Sequence, residues 1–161
     1  MVEEKTRIKI CGITSINQAI EIAKLGVDAI GIISVKESPR YVSNSKRRSI
    51  FKRLKYTYPN IKRVSVIKNL PINFISKDFT EYENVIQLHG DEDISYCKEL
   101  KMTIPNVEIW KAFRIRKKED IEQIKFFYNY IDAALLDSWN KDTYGGSGVR
   151  IDQKNLKNIK L

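Results

Sequence analysis

Short apolar runs rich in β-branched residues alternate with longer amphipathic segments from one end of the chain to the other, and this rhythm constrains the fold more than any other feature. The runs fall at Arg7 to Ile10, Ala29 to Ile33, Arg63 to Ile67, Val85 to Leu88, Val107 to Lys111 and Ala133 to Leu136. Each is nearly all apolar, as a parallel strand covered on both faces has to be. Between them the spacing turns helical. Ile16, Ala19, Ile20 and Ala23 form one stripe, with a capping-box pattern from Ser15 to Gln18 and Gly26 as a stop. Ile50, Phe51, Leu54 and Tyr58 form the next, and Pro71 opens a third helix. Ile94, Cys97 and Leu100 line a fourth, Ile121, Ile124 and Tyr128 a fifth, and Leu156 and Ile159 suggest a sixth. The pattern predicts an α/β fold of repeated βα units, and a doubly wound sheet and a (β/α)8 barrel both satisfy it.

With 161 residues and 42% hydrophobic content, the chain can bury one real core. No Pro- or Gly-rich linker interrupts the rhythm, so residues 1–161 read as a single domain. No run approaches the roughly eighteen apolar residues of a membrane span, and the charged start has no signal-peptide character, so a cytoplasmic protein without a membrane partner is expected. The two cysteines, Cys11 and Cys97, are far apart and outside any metal-ligand spacing, which suggests neither a zinc site nor a disulfide scaffold. An excess of 29 Lys and Arg over 20 Asp and Glu suits an anionic partner: nucleic acid, a membrane surface or a phosphorylated small molecule. The densest basic stretch, Ser45 to Lys55, reads as an amphipathic helix whose bases form a solvated face. Nucleic acid is not expected, because no binding signature accompanies it.

Reactive side chains gather just past the carboxyl ends of the predicted strands, where parallel α/β folds place their active sites. Cys11 follows the first strand, Ser38-Pro39-Arg40-Tyr41 the second and Asn69 the third. Gln87-Leu88-His89-Gly90-Asp91-Glu92 covers the end of the fourth, Lys111 ends the fifth and Asp137 the sixth. A polar loop with Gly145, Gly146 and Gly148 then follows, long enough to act as a mobile cover.

These segments carry a resemblance. Lys9-Ile10-Cys11-Gly12-Ile13-Thr14, Gly31 through Ser38-Pro39-Arg40-Tyr41-Val42, Val64 to Asn69, Val85 through Glu92, Lys111-Ala112 and Leu135-Leu136-Asp137 with Gly145-Gly146-Ser147-Gly148 resemble, in this order, the phosphoribosylanthranilate isomerase family. The resemblance implies a (β/α)8 barrel of the TIM type. It also implies an Amadori rearrangement in tryptophan biosynthesis, from N-(5′-phosphoribosyl)anthranilate to 1-(2-carboxyphenylamino)-1-deoxyribulose 5-phosphate, with no cofactor and no metal.

Carried over by motif, Asp137 would be the general acid that opens the furanose ring and Cys11 the general base that removes the C2′ proton. An ordinary carboxyl with pKa about 3.9 and an ordinary thiol near 8.5 rest in the opposite protonation states, so both need tuning by their surroundings. Arg40 would hold the anthranilate carboxylate in its guanidinium fork. Gln87 and His89 would line the pocket, and Gly145, Gly146 and Gly148 would contact substrate. The family's Phe-Asp-Trp-like start to its sixth helix is replaced by Val149-Arg150-Ile151-Asp152-Gln153. About six of eight βα units are expected in this chain, without the strands whose loops bind the substrate phosphate. A chain of that kind would be incomplete for catalysis alone. The alternative is a non-catalytic binding or assembly module that pairs through open sheet edges, a route to self-association.

Overall fold

A computed structural model describes residues 6–79 and 81–138. The elements are β1 (Lys9–Cys11), α1 (Ile16–Lys24), β2 (Ala29–Ile33), α2 (Asn44–Thr57), β3 (Lys62–Ile67), α3 (Ile72–Asp78), β4 (Val85–Leu88), α4 (Ile94–Thr103), β5 (Glu108–Ile115), α5 (Lys118–Glu122) with a 3₁₀ turn at Gln123–Phe127, and β6 (Ala133–Ser138). All six strands are parallel and pair in the order β1-β2-β3-β4-β5-β6. That order decides between the two architectures. A doubly wound sheet reverses its strand order at a switch point, whereas a barrel adds each strand beside the last, as here. The described residues form five βα units and a sixth strand of a TIM-barrel-type fold.

β2, β3 and β4 bury both faces, which explains their largely apolar character, whereas the edge strands β1 and β6 are only partly covered. On the outer face Ile30 and Ile32 pack under α1 and α2 against Ala19, Ala23, Ile50, Phe51 and Leu54. Ile67, Ile86, Leu88 and Ile109 pack likewise against Ile75, Cys97 and Leu100. Each such fully buried large side chain contributes about 1.5–3 kcal/mol relative to exposure. On the inner face Ala29, Val64, Val66 and Val85 meet Cys11, Ile33 and Trp110.

The helix signals act much as their chemistry predicts. Ser15 caps α1 by accepting from Gln18 N at 3.2 Å. The Gln18 side chain closes the turn on Thr14 rather than on Ser15, accepting from its N at 3.0 Å and its hydroxyl at 3.1 Å. Gly26 adopts φ +76° just beyond the end of α1, a conformation that L side chains rarely take.

Several expectations need correction. β1 is shifted to Lys9–Cys11, and β5 runs four residues past Lys111 to Ile115. Lys111 therefore lies within the strand, its amine buried against the loop that follows β4. The fifth helix tightens into a 3₁₀ turn before Tyr128. Ile16 and Ile94, at the first positions of their helices, remain 40% and 37% exposed. Arg47 does not belong to a solvated basic face. It is fully buried, with Nε 2.6 Å from Glu83 Oε1 and its guanidinium 3.7 Å from the centre of the Phe79 ring, and it ties α2 to the α3–β4 connection. The suggested helix at Leu156 and Ile159 and the glycines Gly145, Gly146 and Gly148 lie outside the described residues.

A recurrent clasp sets strand register at the amino-terminal end of the sheet. Asp28, Asn84 and Asp132 immediately precede β2, β4 and β6. Their side chains accept from the backbone N–H of Ile8, Arg63 and Ile109 at 2.7, 2.6 and 2.7 Å. The backbone N–H of each then donates to the carbonyl of that same residue, at 2.9, 3.2 and 2.7 Å.

Candidate active site

At the carboxyl-terminal end, chemically capable side chains lie at or just beyond the ends of the strands, with Lys111 on the outer face beside Leu88. Cys11 packs into the inner cluster beside Gly31, its register partner on β2. A Cβ at position 31 would sit 2.7 Å from Cys11 Sγ and 3.1 Å from Lys9 Nζ, so a glycine there makes room for both. Lys9 and Cys11 share a face because side chains two apart on a strand point the same way. The ends of both side chains therefore lie over Gly31. Reading the first strand as Arg7 to Ile10 hid this pairing; the period of two through Cys11 was the signal that could have found it.

Gly12 follows at φ +87°. A Cβ there would lie 2.6 Å from Arg40 Nη1 and 2.9 Å from its Cδ, so glycine is required both for the backbone turn and for the Arg40 side chain to lie across the end of β1. Nη1 stands 3.5 Å from the Cys11 carbonyl oxygen. The turn that carries Arg40 is closed by Tyr41 N donating to Ser38 O at 3.0 Å and pinned to the end of β2 by Val42 N donating to Ile33 O at 3.0 Å. Arg40 is exposed at the mouth of the site.

The loop after β4 is built around a buried ion pair. Lys111 Nζ lies 3.0 Å from Glu92 Oε2 and donates to the Gly90 carbonyl at 2.8 Å. The Glu92 carboxylate also accepts from Asn69 N at 2.8 Å and Gly90 N at 3.0 Å. Asn69, at φ +47°, accepts on Oδ1 from Asp91 N at 2.8 Å. Position 90 admits only glycine without rearrangement, because a Cβ would overlap the Asn69 amide and come within 2.9 Å of Glu92 Oε1. Asn69, Glu92 and Lys111 therefore act as the frame of the loop that presents His89, and none of them is free for chemistry.

His89 points back across the interior. Its Nε2 is 3.7 Å from Asp137 Oδ2, and Nδ1 is 3.4 Å from Gln87 Nε2. Burial lowers the His89 pKa from its ordinary value, with the positive charges of Lys111 and Lys9 acting in the same direction; Asp137 and Glu92 oppose them. Cys97, sharing a buried stripe with Leu100, has its thiol pushed up to about 11 by burial. Among the described residues no group of three or more His, Cys, Asp or Glu is placed to hold a metal ion. A cavity of about 510 Å3 lined by Arg7, Lys9, Lys62, Trp110 and Leu135 opens at the opposite, amino-terminal end of the strands, away from this cluster.

Comparison with known proteins shows the family. The family model for N-(5′-phosphoribosyl)anthranilate (PRA) isomerase matches residues 8–161. The chain belongs to the PRA isomerase family. A PRA isomerase of Trichodesmium erythraeum is 41% identical over 150 residues, which is 92% of this chain and 64% of that relative. The crystal structure of the Thermotoga maritima PRA isomerase superposes with a TM-score of 0.77 at 29% identity, over 90% of this chain and 67% of that one. A PRA isomerase solved with reduced 1-(o-carboxyphenylamino)-1-deoxyribulose 5-phosphate superposes with a TM-score of 0.73 at 30% identity, over 84% of this chain and 66% of that one. The chain thus spans about two thirds of the length of the PRA isomerases it matches.

Proposed function

We propose that the chain catalyses, or supplies most of the active site for, the Amadori rearrangement of N-(5′-phosphoribosyl)anthranilate in tryptophan biosynthesis, as a cytoplasmic enzyme. The observation that carries this reading is the placement of Cys11, Arg40, His89 and Asp137 at the carboxyl-terminal ends of β1, β2, β4 and β6 in a PRA isomerase family member. In the first step Asp137 gives its proton to the furanose ring oxygen; the C1′–O bond breaks and the anilino nitrogen's lone pair forms a protonated Schiff base. The Cys11 thiolate then takes the C2′ proton, and the C–H electrons move through the C1′–C2′ bond to neutralise the iminium. The resulting enolamine becomes the ketone when its C2′ hydroxyl loses its proton and C1′ gains one. Arg40 at the mouth offers a planar fork to the anthranilate carboxylate. A phosphorylated, carboxylate-bearing substrate also accords with the chain's formal charge of +9.

Isomerase turnover and binding of the reduced product analogue test the proposal. Cys11→Ala and Asp137→Asn should each lower the rate by about 10²–10⁴, the usual range for a general acid or base. A folded chain that neither turned over substrate nor bound the analogue would overturn the reading. So would either variant at the unaltered rate.

A non-catalytic assembly module is the less favoured alternative, since it gives no role to the proposed acid, base and arginine at the strand ends. Self-association has its own support: among the described residues β1 and β6 are the sheet edges, and Ile8 and Ile10 at the β1 edge are 52% and 38% exposed. A size-exclusion profile at the monomer volume across the micromolar range would dismiss it.

A further inference from the structure

Gln87 stands out on the inner face. Its register neighbours are Val66 on β3 and Trp110 on β5, and the side chain is buried with only 4% of the residue exposed. An apolar residue would fill that place without penalty, whereas a buried carboxamide needs partners. Its Oε1 has none among the described residues. The polar contact that remains is Nε2 to His89 Nδ1, at 3.4 Å.

The two sides of the imidazole ring then present different demands. Nε2 faces a carboxylate oxygen of Asp137, which accepts; Nδ1 faces an amide nitrogen, which donates. A neutral imidazole has one N–H and one bare nitrogen, and only one tautomer matches both neighbours. Turning the carboxamide over would set Oε1 against Nδ1 and leave both amide hydrogens buried without an acceptor, the rarer of the two kinds of unmet group.

We propose that Gln87 is a positioning residue that holds His89 as the neutral Nε2–H tautomer, with that N–H turned toward Oδ2 of Asp137, 3.7 Å away. The consequence for the acid step rests on the isomerase reading above. An imidazolium at His89 would stabilise Asp137 as the carboxylate, the wrong form for a general acid. A donor aimed at Nδ1 opposes that second proton, in the same direction as burial and the charges of Lys9 on β1 and Lys111 on β5. Asp137 on β6 and Glu92 after β4 act the other way. Gln87 thereby acts on Asp137 through His89.

His89 is the only histidine, so its imidazole resonances need no assignment among others. ¹⁵N-edited NMR of the 161-residue chain at pH 7 reads tautomer and charge directly. The unaltered chain should show a neutral ring protonated at Nε2, and Asp137→Ala should keep that tautomer, because Gln87 is still present. Gln87→Glu puts an acceptor against Nδ1 and should convert His89 to the imidazolium at the same pH. Gln87→Met keeps the side chain's shape and, combined with Asp137→Ala, should let both tautomers appear. An Nδ1–H tautomer in the unaltered chain, its appearance in Asp137→Ala alone, or a neutral ring in Gln87→Glu would each overturn the proposal. If the expected NMR pattern appears and the chain neither turns over substrate nor binds the product analogue, the tautomer assignment stands and the isomerase reading falls.

Discussion

Replacing Lys111 by methionine should destabilise the chain by an amount that the surroundings of Glu92 set. The Lys111 and Glu92 side chains are 5% and 1% exposed, and methionine retains most of the lysine stem, so the packing change is small. What disappears is the counter-charge 3.0 Å from Oε2, together with the donors to the carbonyls of Gly90 at 2.8 Å and Ala112 at 3.2 Å. Removing one member of a buried ion pair costs about 3–5 kcal/mol, because the other charge stays buried without a partner. The carboxylate keeps the N–H groups of Asn69 and Gly90, which places the expected loss near the lower end, at about 3 kcal/mol. In the unfolding equilibrium this is a factor of about a hundred. Urea unfolding followed by circular dichroism measures it as a lower midpoint at unchanged slope. Adding Glu92→Gln removes the stranded charge while keeping an acceptor for the backbone, and should recover part of the loss. Lys24, paired with Glu21 on the open surface of α1, serves as the control, and Lys24→Met should leave the midpoint where it was. A Lys111→Met loss below about 1 kcal/mol, or a double variant no more stable than the single, would refute the account of this pair as the frame of the β4 loop.

Gly90→Ala should cost about 1–3 kcal/mol in the same unfolding assay, since the new methyl group meets the Asn69 amide and the Glu92 carboxylate inside a packed network. Iodoacetamide followed by mass spectrometry should label Cys11 in the folded chain and spare Cys97, whose buried thiol is pushed up to about 11; equal labelling would contradict that burial. His89 supplies a pH dependence of definite sign. Its folded pKa lies below 6.5, so the unfolded chain takes up this proton first as pH falls. The residue leaves stability unchanged well above pH 6.5 and lowers it as pH drops through that value toward the folded pKa. His89→Gln should flatten the stability profile across that window, and an unaltered profile would count against the burial effect.

How legible each part was depended on the range of the interaction that fixes it. β2 and β4 follow directly from the sequence because their apolar runs are bounded on both sides by polar or turn residues. β5 was cut short at Lys111 because a lysine within a strand looks like an ending; its partner Glu92 lies 19 residues back, and no local pattern announces the pair. Arg47 was assigned to solvent for the same reason, its carboxylate being 36 residues away at Glu83. The proposed acid, base and carboxylate-binding arginine were legible as motifs at strand ends. The proximity of Lys9 to Cys11, and of Gln87 to His89 and Asp137, became visible only once strand register set the inner face.

The Asx clasps carry a consequence for how the chain divides. Because Asp28, Asn84 and Asp132 each lock an odd-numbered strand to the even-numbered one after it, the sheet consists of three stapled pairs, joined to each other at this end by the main-chain bonds Lys62 N to Asp28 O and Glu108 N to Asn84 O and by the Lys62–Glu108 ion pair at 2.6 Å. The connections from α2 to β3 and from α4 to β5 are therefore natural seams. A nick or an inserted loop at either seam leaves every staple within a continuous piece of chain. The same cut between β1 and β2 separates Ile8 from Asp28, and with it the covalent tether that keeps Lys9 and Cys11 beside Gly31.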